Sequence, residues 1–216
     1  MSLEDEKRLA AQSAAELIEP GTRVGLGTGT TVAYLLSAIA ERAVHARYVA
    51  TSPETADVAQ SLGITVDAFD AFDVLDLAID GADQIAPDGW LVKGRGGAHL
   101  RERIVAAAAR RFVVIADSSK PVTHLHAPVP LELRPFGLRA TLRELGSVTL
   151  RDAATTPDGG VLADFHGAFE SAFELAERFA ATPGVAAHGL FAPNLVSEII
   201  VATGKTVTTT APGGQL

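Results

Sequence analysis

The sequence predicts an α/β protein: a Rossmann-like open parallel sheet with helices on both faces, joined to a smaller ferredoxin-like α+β domain. Two patterns carry this expectation. Up to residue 126, short apolar runs alternate with stretches of helical periodicity, the order that builds a parallel sheet covered on both faces. From residue 127 the order becomes strand, helix, strand, strand, helix, strand, the signature of a split βαβ unit. Length and composition agree, because 216 residues that are 47% hydrophobic and 20% charged can bury a sizeable core and form a main domain with an appendage. The expected division is residues 1–126 plus 195–216 for the larger domain and 127–194 for the smaller, a βαββαβ unit.

Residues 4–18 place Leu9, Ala10, Ala14, Leu17 and Ile18 at helical spacing and end at Pro20-Gly21, a helix stop and turn. A strand at 23–26, a Gly/Thr loop, and a helical stripe of Val32, Leu35, Leu36, Ile39, Ala40 and Ala43 follow. A strand at 48–50, a helix from 53 to about 62 and a strand at 64–66 repeat the alternation, and 75–79 reads as a further buried strand. After a loop at 80–90 come a short strand at 90–92, a helix near 98–110 and a strong apolar strand at 112–116. The second unit reads strand 129–134, helix 137–145, strand 147–151, a turn at Pro157-Asp158-Gly159-Gly160, strand 161–166, helix 168–181 and strand 185–191. Residues 195–210 form two strands joined at Gly204-Lys205 that return the chain to the first sheet.

Eighteen Lys and Arg against 26 Asp and Glu give a net charge of −8, the wrong sign for a nucleic-acid surface. An anionic ligand therefore needs a local cationic pocket. The absence of cysteine excludes a disulfide framework, a thiolate nucleophile and a zinc–thiolate site. The charged N-terminus lacks the apolar core of a signal peptide, and no run has the roughly 18 apolar residues of a membrane span. The expectation is a cytoplasmic protein with no membrane or nucleic-acid partner.

Ligands of an open parallel sheet bind beyond the carboxyl ends of its strands, so the residues that follow each strand matter most. After Leu26 comes Gly27-Thr28-Gly29-Thr30-Thr31, where glycines permit close approach and a helix N-terminus suits a phosphate; alternatively Thr30 or Thr31 simply caps the helix. The spacing fits neither G-x-G-x-x-G nor a Walker loop. After Ile79, Asp80-Gly81-Ala82-Asp83 offers either paired carboxylates for proton transfer or an Asp-stabilised turn. After Val92, Lys93-Gly94-Arg95-Gly96-Gly97 sets two cations in a glycine loop ahead of a helix, and after Ala116, Asp117-Ser118-Ser119-Lys120 adds a lysine at the same edge. Glu102 lies opposite the Leu100/Ile104 stripe of its helix, which by itself predicts a solvated glutamate that complements the helix dipole. The six histidines keep no ligand spacing and read as structural or surface residues, so no metal is expected. Together the strand ends describe a site for a small anion undergoing proton transfer.

These motifs, Gly25-Leu26-Gly27-Thr28-Gly29-Thr30-Thr31, Asp80-Gly81-Ala82-Asp83, Lys93-Gly94-x-Gly96, Arg101-Glu102 and Asp117-x-Ser119-Lys120, resemble those of the A-type ribose-5-phosphate isomerases, in order over nearly the whole chain and including Pro183-Gly184-Val185 and Gly189-Leu190-Phe191. The resemblance implies a cofactor-free isomerase of the pentose phosphate pathway, cytoplasmic and a homodimer or homotetramer, with the larger domain catalytic. It implies that Thr28, Gly29, Thr30, Thr31 and Lys120, with Lys7, hold the sugar phosphate. Asp80, Asp83 and Lys93 would act on the ring and carbonyl oxygens, with Gly81, Ala82, Gly94, Arg95 and Gly96 lining the site, and Glu102 would accept the proton. The chemistry needs one carboxylate base and a cation near the developing oxyanion. Gln84 and Arg95 depart from the family pattern: Gln84 stands where an acid is usual and removes a negative charge near the site, while Arg95 either grips an anionic group or points to solvent. A non-catalytic sugar-phosphate sensor on the same scaffold would be expected to lack the base or the lysine, and Glu102 and Lys93 are both present.

Overall fold

The computed structural model describes residues 1–214; the last two residues of the expected larger domain, Gln215 and Leu216, lie outside the described residues. The main sheet takes its strands in the order β13-β12-β6-β3-β1-β2, from β1 (Arg23–Leu26), β2 (Arg47–Ala50), β3 (Leu77–Gly81), β6 (Phe112–Asp117), β12 (Glu198–Thr203) and β13 (Thr206–Thr210). All neighbours are parallel except β13, which pairs antiparallel with β12 at one edge. The C-terminal hairpin thus returns to this sheet as expected, with β12 beside β6.

On one face, α1 (Leu3–Ala15), α2 (Thr30–Arg42) and α3 (Pro53–Ser61) pack Ala10, Ala14, Leu35, Leu36, Ile39 and Ala59 against Leu26, Ile79 and Ile115. On the other, α4 (His99–Ala108) packs Val105 and Ala106 with Phe72, Leu75, Val114 and Phe191. Ser2 opens α1 with a capping box: its hydroxyl accepts from Asp5 N and the Asp5 carboxylate accepts from Ser2 N.

A second, antiparallel sheet runs β10-β7-β9-β8, from β7 (Val129–Leu133), β8 (Val148–Leu150), β9 (Val161–Phe165) and β10 (Val185–His188), the ferredoxin-like order. Alternate residues Val129, Leu131 and Leu133 face α5 (Leu138–Leu145) and α6 (Ala172–Ala181), where Leu145, Leu175 and Phe179 complete a core.

Two expected strands differ. Residues 64–66 make only an isolated bridge from Val66 to Tyr48. The expected strand at 185–191 breaks at Gly189, whose N–H donates to Pro130 O at 2.7 Å in the second sheet while its carbonyl accepts from Lys93 N at 2.8 Å. A Cβ there would lie 2.2 Å from Lys93 O, so only glycine lets the chain pass between the sheets. Beyond it, β11 (Leu190–Phe191) joins β5 (Leu91–Val92) and β4 (Gln84–Ile85) in a three-stranded sheet of order β11-β5-β4; β4 lies within the expected 80–90 loop.

Candidate active site

In the order β3-β1-β2 the chain reverses direction across the sheet at β1 and β3, and the loops leaving their carboxyl ends open a crevice there. The two loops touch. Gly27 N donates to Ile79 O at 2.9 Å and Thr28 N to Asp80 Oδ1 at 3.2 Å, and a Cβ on Gly27 would overlap the Asp80 carboxylate.

At one end of the crevice α2 begins at Thr30 behind Gly29, whose φ of 118° only glycine adopts comfortably, and no described side chain caps it. Neither Thr30 nor Thr31 acts as the cap, so no described side chain takes up the first N–H groups of α2, and both threonines line the crevice. The Thr28 hydroxyl turns away: it bonds Thr51 Oγ1 at 2.8 Å and Ser52 Oγ at 2.9 Å, tying the loop to the residues after β2 through its side chain. Lys7 and Lys120 also line the crevice. Glu6 links the elements that carry them, accepting from Ser118 N at 3.0 Å, Ser118 Oγ at 2.6 Å and Gly204 N at 2.7 Å. Its neighbours in the sequence gave no sign of this, because the partners are remote.

At the other end Lys93, 2% exposed, places Nζ 2.9 Å from Asp80 Oδ2 and 3.3 Å from Glu102 Oε2, donates to Gly81 O, and lies over the Phe191 ring at 5.5 Å. Glu102 Oε2 has no hydrogen bond among the described residues, so its contact with Lys93 is an ion pair without hydrogen-bond alignment. Burial, and then the Asp80 charge, push the Glu102 carboxyl up to about 8; burial also raises Asp80, against the pull of Lys93. Burial alone would lower Lys93, but Asp80 and Glu102 together hold it above its usual value. One cation facing two buried carboxylates therefore favours a single retained proton between the acids. Asp80, which also accepts from Gly81 N at 2.7 Å and Thr28 N at 3.2 Å, is the better hydrogen-bonded anion, and Glu102 the better proton holder.

The solvated glutamate expected from the Leu100/Ile104 stripe is not found. Glu102 is 4% exposed and lines the crevice, whereas Ile104 is 46% exposed. The buried stripe of α4 is His99, Glu102, Val105 and Ala106. Two of its four members are polar, so apolar counting selected the wrong face.

The cleft encloses about 400 Å³, within the range of small-molecule sites, and is lined by Lys7, Thr28, Gly29, Thr30, Thr31, Gly81, Ala82, Asp83, Lys93, Gly94, Arg95, Gly96, Glu102 and Lys120. Of the candidate residues only Asp80 lies beneath the lining, 3% exposed. Asp83 accepts from Arg95 N at 3.0 Å, while the Arg95 side chain, 79% exposed, stands at the rim with Nε 3.9 Å from Asp83 Oδ1. Gln84 does not line the cleft: its Nε2 donates to His126 O and its Oε1 accepts from His126 N, both at 2.8 Å. The cleft fits a phosphate at the helix end and a carbonyl at the lysine; among the described residues no three His, Asp or Glu side chains gather as a metal site.

The sequence matches ribose 5-phosphate isomerase A (phosphoriboisomerase A) over residues 47–206. The chain belongs to that family. A ribose-5-phosphate isomerase A of Gluconobacter oxydans (strain 621H) is 41% identical over 214 residues, covering 91% of this chain and 92% of the relative. Among solved structures, ribose 5-phosphate isomerase A from Neisseria gonorrhoeae has a TM-score of 0.92 at 30% identity over 98% of each chain. A D-ribose-5-phosphate isomerase in complex with phospho-erythronic acid likewise has a TM-score of 0.92 at 30% identity, over 98% of this chain and 100% of that one. These two solved isomerases share the fold described here.

Proposed function

We propose that this chain interconverts D-ribose 5-phosphate and D-ribulose 5-phosphate through a cis-enediolate, with the phosphate at the N-terminus of α2 between Lys7 and Lys120. The observation that carries this reading is Lys93 Nζ held within 3.3 Å of Glu102 on the wall of that cleft. Asp83, which lines the cleft where Asp80 does not, moves the proton between ring oxygen and anomeric hydroxyl that opens the furanose. Ionised Glu102 then takes the C2 proton as electron density moves onto the aldehyde oxygen, where Lys93 meets the developing negative charge. Return of the proton to C1, with transfer of the O2 hydroxyl proton to O1, yields the ketose. Asp80 keeps Lys93 charged and in place. A relative's complex with phospho-erythronic acid supports the reading, since that ligand joins a phosphate to a planar carboxylate resembling the enediolate.

The same reading makes the protein a cofactor-free enzyme of the pentose phosphate pathway, cytoplasmic and a homodimer or homotetramer. It treats residues 1–126 with 195–216 as the catalytic domain and 127–194 as the smaller one. The test is formation of ribulose 5-phosphate from ribose 5-phosphate by the pure chain, with and without EDTA. Turnover unaffected by EDTA is expected; activity that vanishes with EDTA and returns with a divalent ion refutes the mechanism.

A further inference from the structure

The segment that carries Lys93 away from β5 has no regular structure over residues 94–98, yet it must hold a buried ammonium against two carboxylates. One turn within it, Gly97 N donating to Gly94 O at 2.9 Å, is its own; its other fixings come from other elements. Lys93 N donates to Gly189 O at 2.8 Å, and Arg95 N donates to Asp83 Oδ2 at 3.0 Å. The carbonyls of Gly94 and Arg95 both accept from one nitrogen, Nη1 of Arg151, at 3.2 and 2.9 Å. Arg151 follows β8 in the antiparallel sheet. Its Nε and Nη2 donate to Asp164 Oδ2 and Oδ1 on β9 at 2.8 and 2.7 Å, a bidentate pairing that locks the guanidinium plane.

No other described side chain takes this role. His99 packs against Gly94, where a Cβ would lie 2.7 Å from its own, but neither of its ring nitrogens has a hydrogen-bond partner among the described residues. Arg151 and Asp164 do not line the cleft, so any effect on chemistry passes through the loop they hold.

We propose that Arg151, held in plane by Asp164, is a positioning residue for the isomerisation: by fixing the Gly94 and Arg95 carbonyls it sets Lys93 against the reacting oxygens and keeps Asp83 at the cleft. The proposal rests on the roles given to Lys93 and Asp83 above. It makes the smaller unit a working part of the site, although none of its residues lines the cleft.

The test uses Arg151→Lys and Arg151→Ala in the full chain, with kcat and KM for ribose 5-phosphate, unfolding followed by circular dichroism, and methylguanidinium at low millimolar concentration. A lysine keeps the charge, but its single ammonium cannot both lie flat on Asp164 and serve two carbonyls. A displacement of about 1 Å in a catalytic group costs up to about 10²-fold. The expectation is therefore that kcat falls about 10–100-fold in both variants while KM, set by the phosphate end, stays within about threefold. Methylguanidinium is expected to restore part of the kcat of Arg151→Ala. If Arg151→Ala does not fold, Arg151→Lys decides alone. A kcat within twofold of the parent, a loss that merely follows the folded fraction, or a folded Arg151→Ala that methylguanidinium does not restore overturns the proposal. A parent chain without isomerase activity overturns the functional reading and this proposal with it, whereas an active parent beside an unaffected variant overturns only the role of Arg151.

Discussion

Replacing Glu102 by glutamine conserves shape while removing both the proton acceptor and a buried ionisable group, so one variant has two independent readouts. A general base contributes about 10²–10⁴-fold, so kcat falls by at least about 10² with KM little changed. The second readout is stability. The folded-state carboxyl sits at about 8 rather than its ordinary 4.5. Below pH 4.5 it is protonated folded or unfolded and the displacement has no effect. Between the two values the unfolded chain has released a proton that the folded chain retains, so stability falls as pH rises, and above pH 8 the whole cost is present. That cost is on the order of 5 kcal/mol as a ceiling, because Asp80 shares the retained proton with Glu102. Glutamine never ionises. The variant therefore becomes progressively more stable than the parent from pH 5 to 8 and then holds its lead, at about 2–4 °C in Tm per kcal/mol for a chain of this size. Thermal unfolding by circular dichroism across that range, beside turnover at each pH, measures both. A Tm difference that does not change with pH refutes the buried, proton-retaining carboxyl, and near-parental turnover refutes the base.

The raised Glu102 carboxyl also predicts that kcat/KM climbs with pH toward an apparent pKa near 8, since only the ionised form accepts a proton; a profile flat from pH 6 to 9 would contradict this. Lys120→Ala acts mainly through KM, because phosphate contacts are shared by ground and transition states, and an unchanged KM removes Lys120 from the phosphate site. Gln84→Glu replaces the Nε2 donor facing His126 O, 2.8 Å away, with an acceptor, and is expected to cost about 1–3 kcal/mol by urea denaturation. If stability is instead unchanged and kcat alters, Gln84 belongs to the site after all.

The elements and the loops that bear chemistry were legible in the sequence because their signals are local. Apolar spacing along α1 and α2, the glycine and threonine run after Leu26, and Lys93 among glycines each speak through near neighbours. Which side of a helix is buried depends on what packs against it, and so Glu102 read as solvated until α4 was placed with its His99/Glu102 face toward Lys93. The Thr28 hydroxyl is claimed by Thr51 and Ser52 and Gln84 faces His126, through partners at least 23 residues away, and Asp80 sits beneath the cleft surface where Thr28 N, 52 residues away, meets it. Gly189 interrupts an otherwise strand-like run because two sheets approach at that point, a closeness no window around residue 189 contains. The sequence by itself determined the elements, their alternation and the chemical groups at the strand ends. The tertiary structure alone decided which of those groups face one another, because burial and ion pairing are set by residues distant in the chain.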